Sequence, residues 1–218
     1  MIVSIVGAHG SIARQLTSLL SARGHTVRGL VRKDEQFDDI AADGGEPVLC
    51  DIEQASDSDI DTALDGSDLV VFAAGAGPDS GPERKQTVDR DGAIATVESA
   101  VRVGAKRFVI VSSMGTDDPP TDDDTFSVYL RAKAAADDAV RAADIDAVIV
   151  RPGKLTDDDP RGSVTIGSSV DRGEIPRSDV ASVLAEIIEV GDGLNTTFEL
   201  ISGTLPIRNA VALLVEQS

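Results

Sequence analysis

The stretch Ile2-Val3-Ser4-Ile5-Val6-Gly7-Ala8-His9-Gly10-Ser11-Ile12-Ala13-Arg14-Gln15-Leu16 decides the fold. Its first five residues are mostly β-branched and apolar, which predicts a strand buried on both faces. From Ser11 to Arg23 the apolar residues Ile12, Leu16, Leu19 and Leu20 recur at helical spacing, and Gly24 stands where a helix usually ends. Between strand and helix lies Gly7-x-x-Gly10-x-x-Ala13. Glycine there permits a tight turn and a close backbone approach by a pyrophosphate, and a small third residue lets helix and strand pack. The helix start then offers free N–H groups and the positive end of its dipole to phosphates. Gly and Ala are abundant in this chain, so the spacing alone is a weak signal. Its position between a clean strand and a clean helix is what carries weight.

Working outward, the same alternation continues. Strands are predicted at Thr26–Val31, Pro47–Cys50, Leu69–Ala74, Arg107–Ser112, Ala147–Val150 and Thr197–Ile201. Helices are predicted around Ser58–Leu64, Arg84–Val103, Thr125–Ala143, Val180–Val190 and Ile207–Glu216. Regular βα alternation implies a doubly wound parallel sheet of Rossmann type with right-handed crossovers. The expected organisation is one domain over residues 1–218, with a small substrate-side portion from about residue 151 onward. Loops are expected at Gly75–Pro82, Gly115–Asp124 and Thr156–Arg177. The acidic runs within the last two read as solvated turns rather than carboxylate metal sites.

Composition narrows the function. A net charge of −18 on 218 residues repels phosphate backbones and anionic lipid surfaces, so neither nucleic acid nor membrane is an expected partner. Aromatics make up 3% and Trp is absent, which removes stacking platforms for single strands. The one cysteine, Cys50, excludes an internal disulfide and any CxxC motif, and it reads as a buried structural thiol. No apolar run reaches the length of a membrane span, and the chain opens directly on a strand, so a cytoplasmic location is expected.

A dinucleotide site of this kind usually places an acidic residue at the end of the second strand to bind the ribose of NAD. Arg32 and Lys33 stand there instead, and a guanidinium can fork onto a 2′-phosphate. NADP(H) is therefore the expected cofactor, with NAD(H) possible. The competing reading makes Arg32 an ordinary exposed strand-end residue. Further on, the lone tyrosine, Tyr129, precedes Lys133 by four residues, which sets both on one helix face. A neighbouring ammonium would favour the phenolate and lower the phenol pKa from its reference near 10. Tyr129 could then move a proton to or from a carbonyl or alcohol oxygen, with the hydroxyl of Ser113 holding that oxygen.

With Gly7-Ala8-His9-Gly10, Asp51-Ile52, Ala73-Ala74-Gly75, Arg107-Phe108-Val109-Ile110-Val111-Ser112-Ser113, Tyr129-Leu130-Arg131-Ala132-Lys133, Val150-Arg151-Pro152-Gly153 and Arg177-Ser178-Asp179-Val180-Ala181, the chain resembles the short-chain dehydrogenase/reductase superfamily. More narrowly, it resembles the compact atypical NAD(P)H-binding branch that includes NmrA-like regulators and biliverdin/flavin reductase-like proteins. The resemblance implies that Gly7, His9, Gly10, Ser11 and Ile12 cradle the pyrophosphate and that Asp51 and Ile52 meet the adenine. It implies that Ala74 and Gly75 pass the adenosine ribose and that Lys133 holds the nicotinamide ribose. Pro152, Gly153 and Leu155 would run past the carboxamide, while Arg177 and Asp179 would tie the C-terminal helix to the sheet.

The stretch after Arg151 is shorter than the substrate domain of extended members, so nucleotide-sugar epimerase or dehydratase chemistry is not expected. The implied activity is an NADP(H)-dependent oxidoreductase using Ser113, Tyr129 and Lys133 on a small carbonyl, quinone or flavin-like molecule. The alternative is a non-catalytic dinucleotide sensor. A monomer and a homodimer fit equally well.

Overall fold

The computed structural model describes residues 1–77, 79–191 and 193–216. Strand β1 (Ile2–Val6) sits inside the main sheet, with Val3 and Ile5 fully buried. It pairs in parallel with β2 (Thr26–Val31) on one side, Ile5 opposite Gly29, and with β4 (Leu69–Phe72) on the other, Ile5 opposite Val71. Outside β2 lies β3 (Glu46–Leu49); outside β4 lie β5 (Arg107–Val111), β6 (Asp146–Pro152) and β10 (Thr196–Ser202), all parallel. The winding reverses between β1 and β4, where crossovers leave in opposite directions and open a crevice at the strands' carboxyl ends.

Helices cover both faces. On one, α1 (Ser11–Ala22) packs beside α7 (Arg177–Glu189) and α8 (Ile207–Glu216), burying Leu16, Leu20, Leu184 and Val211. Each fully buried Leu contributes roughly 1.5–3 kcal/mol. On the other, α3 (Asp57–Leu64), α5 (Ala93–Arg102) and α6 (Thr125–Ala142) bury Ile60, Val97, Ala136 and Val140. The α3 start is fixed by a reciprocal pair, the Ser56 side chain with the Asp59 N–H and the Asp59 carboxylate with the Ser56 N–H. No helix among the described residues is long and apolar enough to cross a membrane.

Several expectations need correction. The sheet is not wholly parallel: β8 (Ser163–Gly167) runs antiparallel to β10, and the short β11 (Leu205–Pro206) runs antiparallel to β8. Thr156–Arg177, read as a loop, therefore holds a strand of the main sheet, between β10 and the outermost β11. It also holds β9 (Glu174–Pro176), which pairs with β7 (Lys154–Thr156) in a separate two-stranded sheet. These strands are two to five residues long, so even the alternation of Val164 and Ile166 in β8 is too short to stand out from a loop. Residues 34–42, for which no element is predicted, form a 3₁₀ turn (Asp34–Gln36) and α2 (Phe37–Ala42), where only Ile40 is buried.

The helix expected over Arg84–Val103 is not uniform. It begins as α4 (Pro82–Arg84), passes through a π-helical stretch at Lys85–Gly92 and continues as α5. Wider hydrogen-bonded turns re-aim side chains, and such insertions recur at functional sites. Here Lys85, Val88 and Asp89 all face inward.

Gly7 ends β1 at φ +79, and a Cβ there would lie 2.5 Å from the Ala74 Cα. Gly66 has a similar φ of +73 but open space around it. Gly7→Ala is therefore expected to lose roughly 3 kcal/mol or more, against about 1–2 kcal/mol for Gly66→Ala, where only the backbone conformation is penalised. Urea unfolding of the two variants checks this, and equal losses would refute the close approach.

Candidate functional site

Two cavities open along the carboxyl ends of the parallel strands and share the segment Ala73–Gly77 as a common wall. The first, about 320 Å³, is lined by Gly7, His9, Gly10, Arg32, Ile52 and Ala74 among others. The second, about 1050 Å³, is lined by Ile12, Ser113, Tyr129, Lys133, Pro152 and Leu155 among others.

The glycine turn meets the requirements of a phosphate site. No side chain caps α1: Gly10 is the cap residue, in extended conformation, and makes no side-chain hydrogen bond to the first turn. The first N–H groups of α1 thus lack the side-chain acceptor that a helix start usually recruits. His9 is held by Asp39 at 2.8 Å, and Arg14 pairs with Asp39 and Asp43 at 3.1 and 2.6 Å. Arg32 lines the first cavity and has no hydrogen-bond or ion-pair partner among the described residues.

The remaining expected residues divide between those that line a cavity and those that do not. Ser11 and Lys33 are exposed and Asp51 is half-buried; none of the three lines either cavity, and the Asp51 carboxylate accepts the Glu53 N–H at 3.2 Å. Gly75 lines both cavities, and Gly153 lines the second. Cys50 is buried and lines the first cavity; burial first, then the charges of Asp59 and Asp51, push its thiol pKa up.

Ser113, just past β5, and Tyr129 and Lys133, on α6, converge on the second cavity. The electrostatics differ from the sequence expectation. The Tyr129 phenol is pushed well above its ordinary value, first by burial and then by the charge of Asp89; the nearby Ser113 hydroxyl pulls the other way, and Asp137 adds a smaller push upward. Lys133 is committed elsewhere: its Nζ donates to the Val111 carbonyl at 2.8 Å and lies 3.6 Å from Asp89 Oδ1. Burial lowers the Lys133 pKa, and the carboxylates of Asp89 and Asp137 oppose that shift. An ammonium matched to a buried carboxylate has little charge left to stabilise a phenolate.

Sequence reasoning passes over the groups responsible. Asp89 is 1% exposed; Oδ2 accepts the Ala76 N–H at 3.2 Å, and Oδ1 has no hydrogen-bond partner among the described residues. Lys85 is buried, donates to the Gly77 carbonyl at 2.5 Å and lies 5.6 Å from the centre of the Tyr129 ring. Both belong to the π-helical stretch and lie on the buried face that Ala93, Val97 and Ala100 continue into α5. Arg151 is buried on β6, where it grips Asp137 at 2.9–3.0 Å and Asp117 at 2.7 Å, anchoring the start of the 115–124 loop at the cavity rim. Asp179, at the start of α7, accepts the N–H groups of Arg161 and Gly162 at 2.9 and 3.0 Å, so it ties the approach to β8 rather than the main sheet directly. Arg177 pairs with Asp157 at 2.7 Å and also lines the second cavity.

Comparison with known proteins gives a consistent result. A family described as NAD(P)H-binding matches residues 7–190. The uncharacterized sugar epimerase YhfK of Bacillus subtilis (strain 168) is 34% identical over 212 residues, covering 97% of this chain and 99% of that protein. A Bacillus halodurans structure, named for NAD-dependent epimerases and dehydratases, is 38% identical with a TM-score of 0.89, covering 98% and 99% of the two chains. The ceramide reductase of Caulobacter vibrioides is 33% identical over 159 residues, 69% of this chain and 45% of that protein.

With one tyrosine and no tryptophan, tyrosinate absorbance in this protein reports Tyr129 alone. Little phenolate signal is expected at pH 10, where a free tyrosine is about half ionised. Asp89→Asn removes a negative charge and should move the transition to lower pH. Half-ionisation at or below pH 10 in the folded wild type would show that the phenol is not held protonated.

Proposed function

Because the chain belongs to the NAD(P)H-binding family, we propose that it is an NADP(H)-dependent oxidoreductase acting on a small carbonyl, quinone or flavin-like molecule. The observation that carries the reading is the convergence of Ser113, Tyr129 and Lys133 on a cavity joined to the glycine-turn cavity through Ala73–Gly77. The reductase relative supports the reaction class.

A bound nicotinamide supplies the hydride; the chain's residues bind, orient and manage the proton. Gly7 and Gly10 give the pyrophosphate a surface free of side chains, and the uncapped first turn of α1 donates N–H groups to it. Arg32, exposed to the cavity without a partner among the described residues, receives the 2′-phosphate, which is the basis for preferring NADP(H). Lys133, already oriented by the Val111 carbonyl and Asp89, donates to the nicotinamide ribose. Ser113 donates to the substrate oxygen, and Tyr129 passes its proton to the same atom. The phenol carries its proton at neutral pH, as an ordinary tyrosine does, so it can give that proton to the substrate oxygen in the reductive direction.

Two variants test the halves of this reading separately. Gly10 has an ordinary extended backbone, and the nearest atom a Cβ there meets is the Gly7 carbonyl oxygen at 3.3 Å, so Gly10→Val should fold. It should lose the thermal stabilisation that NADPH confers on the wild type; undiminished stabilisation would remove the pyrophosphate assignment.

Tyr129→Phe should retain cofactor binding but lose about 10²–10⁴-fold in turnover of a carbonyl substrate found by an NADPH-oxidation screen. Full turnover in that variant would discard the proton-transfer role. A screen of carbonyls, quinones and flavins that yields no substrate, despite tight NADPH binding, would favour a dinucleotide sensor.

A further inference from the structure

The first cavity carries a charge arrangement that the glycine turn does not explain. Glu53, in the loop after β3, lines it together with Arg32 and Arg84. The Glu53 carboxylate is held from α4 and the π-helical stretch: Arg84 Nε donates to both of its oxygens at 3.1 and 3.3 Å, and Arg84 Nη2 donates to Oε2 as well. The Thr87 hydroxyl adds a bond of 2.7 Å, and Arg84 Nη1 reaches the Ala76 carbonyl at 3.5 Å. These contacts hold the carboxyl well below its usual range, and the charge of Arg32 acts on it in the same direction. Glu53 is thus an anion within electrostatic reach of Arg32, whose guanidinium has no hydrogen-bond or ion-pair partner among the described residues.

A bare carboxylate there would act twice against a 2′-phosphate. It would repel the incoming dianion, and it would compete for Arg32. Arg84 prevents both by occupying the two carboxylate oxygens. The other charges near the wall cannot neutralise Glu53 in its place, since His9 is bound to Asp39, and Asp51 and Asp89 add negative charge that Arg84 also feels.

We infer that the Glu53–Arg84 pair is a second determinant of cofactor choice, with Arg84 neutralising a wall carboxylate that would otherwise disfavour the phosphorylated dinucleotide. The inference rests on the reading that the adenosine end of the cofactor lies in this cavity, and it assigns specificity to a pair outside the glycine turn and the end of β2. A purely structural clamp between the β3 loop and the π-helical stretch would affect both dinucleotides alike. A charge-neutralising pair changes their ratio.

The experiment is calorimetric titration of NADPH and NADH into wild type, Arg84→Met, Glu53→Gln and the double variant. Arg84→Met should weaken NADPH about tenfold relative to NADH, and the effect should shrink as salt is raised. Glu53→Gln alone should raise the NADPH preference, since it removes the repelling charge and frees Arg84. The double variant should return the ratio to within about twofold of wild type, as coupling between contacting residues predicts. Arg84 is partly exposed and Glu53 largely but not fully covered, so folding should tolerate these changes, and Glu53→Gln decides the matter if Arg84→Met does not fold. An unchanged ratio in Arg84→Met, or a double variant that stays as impaired as the single, overturns the inference while leaving the cofactor site intact. A wild type that binds neither dinucleotide overturns the cofactor reading and this inference with it.

Discussion

The structure depends on how closely the chain crosses itself between β1 and β4. At the end of β1 the backbone turns through Gly7 in the left-handed region, and the chain leaving β4 passes so near that a Cβ would lie 2.5 Å from the Ala74 Cα. Two parallel strands whose crossovers depart in opposite directions can open a crevice only if one chain end turns away sharply. Gly7 makes that turn, and Gly10, which lines the first cavity, then starts α1. The segment Ala73–Gly77, pressed against the turn, becomes the wall shared by both cavities.

That shared wall is held by side chains from α4 and the π-helical stretch. Asp89 accepts the Ala76 N–H, Lys85 donates to the Gly77 carbonyl, and Arg84 reaches the Ala76 carbonyl. Burying Asp89 beside Lys133 is tolerated because each offsets part of the other's desolvation. The same compensation limits Lys133 as an activator of Tyr129: its field is spent on Asp89, and the phenol sits among carboxylates. A second set, the buried Arg151 and Asp137 with the exposed Asp117, holds the loop at the opposite rim. In a chain of net charge −18, these interior cations are committed to shaping the cleft, and Arg32 stands apart from them among the described residues.

Much of this was legible in the residue order. The strand–turn–helix at Ile2–Leu16, the βα alternation and the grouping of Ser113, Tyr129 and Lys133 all follow from local pattern, because apolar period and glycine spacing are written along the chain. The antiparallel β8 and β11 were not, since strands this short are defined by the neighbours they pair with rather than by their own side chains. Ser11, Lys33 and Asp51 show the same limit at the site: their positions in a motif do not settle whether their side chains reach the cavity.

The sequence by itself determined the fold class and the glycine turn, and it singled out Tyr129 beside Lys133, because each rests on backbone conformations and spacings internal to a few residues. Only the tertiary structure decided the electrostatics. The phenol pKa moves up rather than down because burial disfavours charge on Tyr129 and because the folded chain brings the carboxylate of Asp89 near it. Glu53 and Arg84 meet in the wall of the first cavity although 31 positions separate them. Charge interactions depend on distance and solvent exposure, and neither quantity exists until the chain has folded.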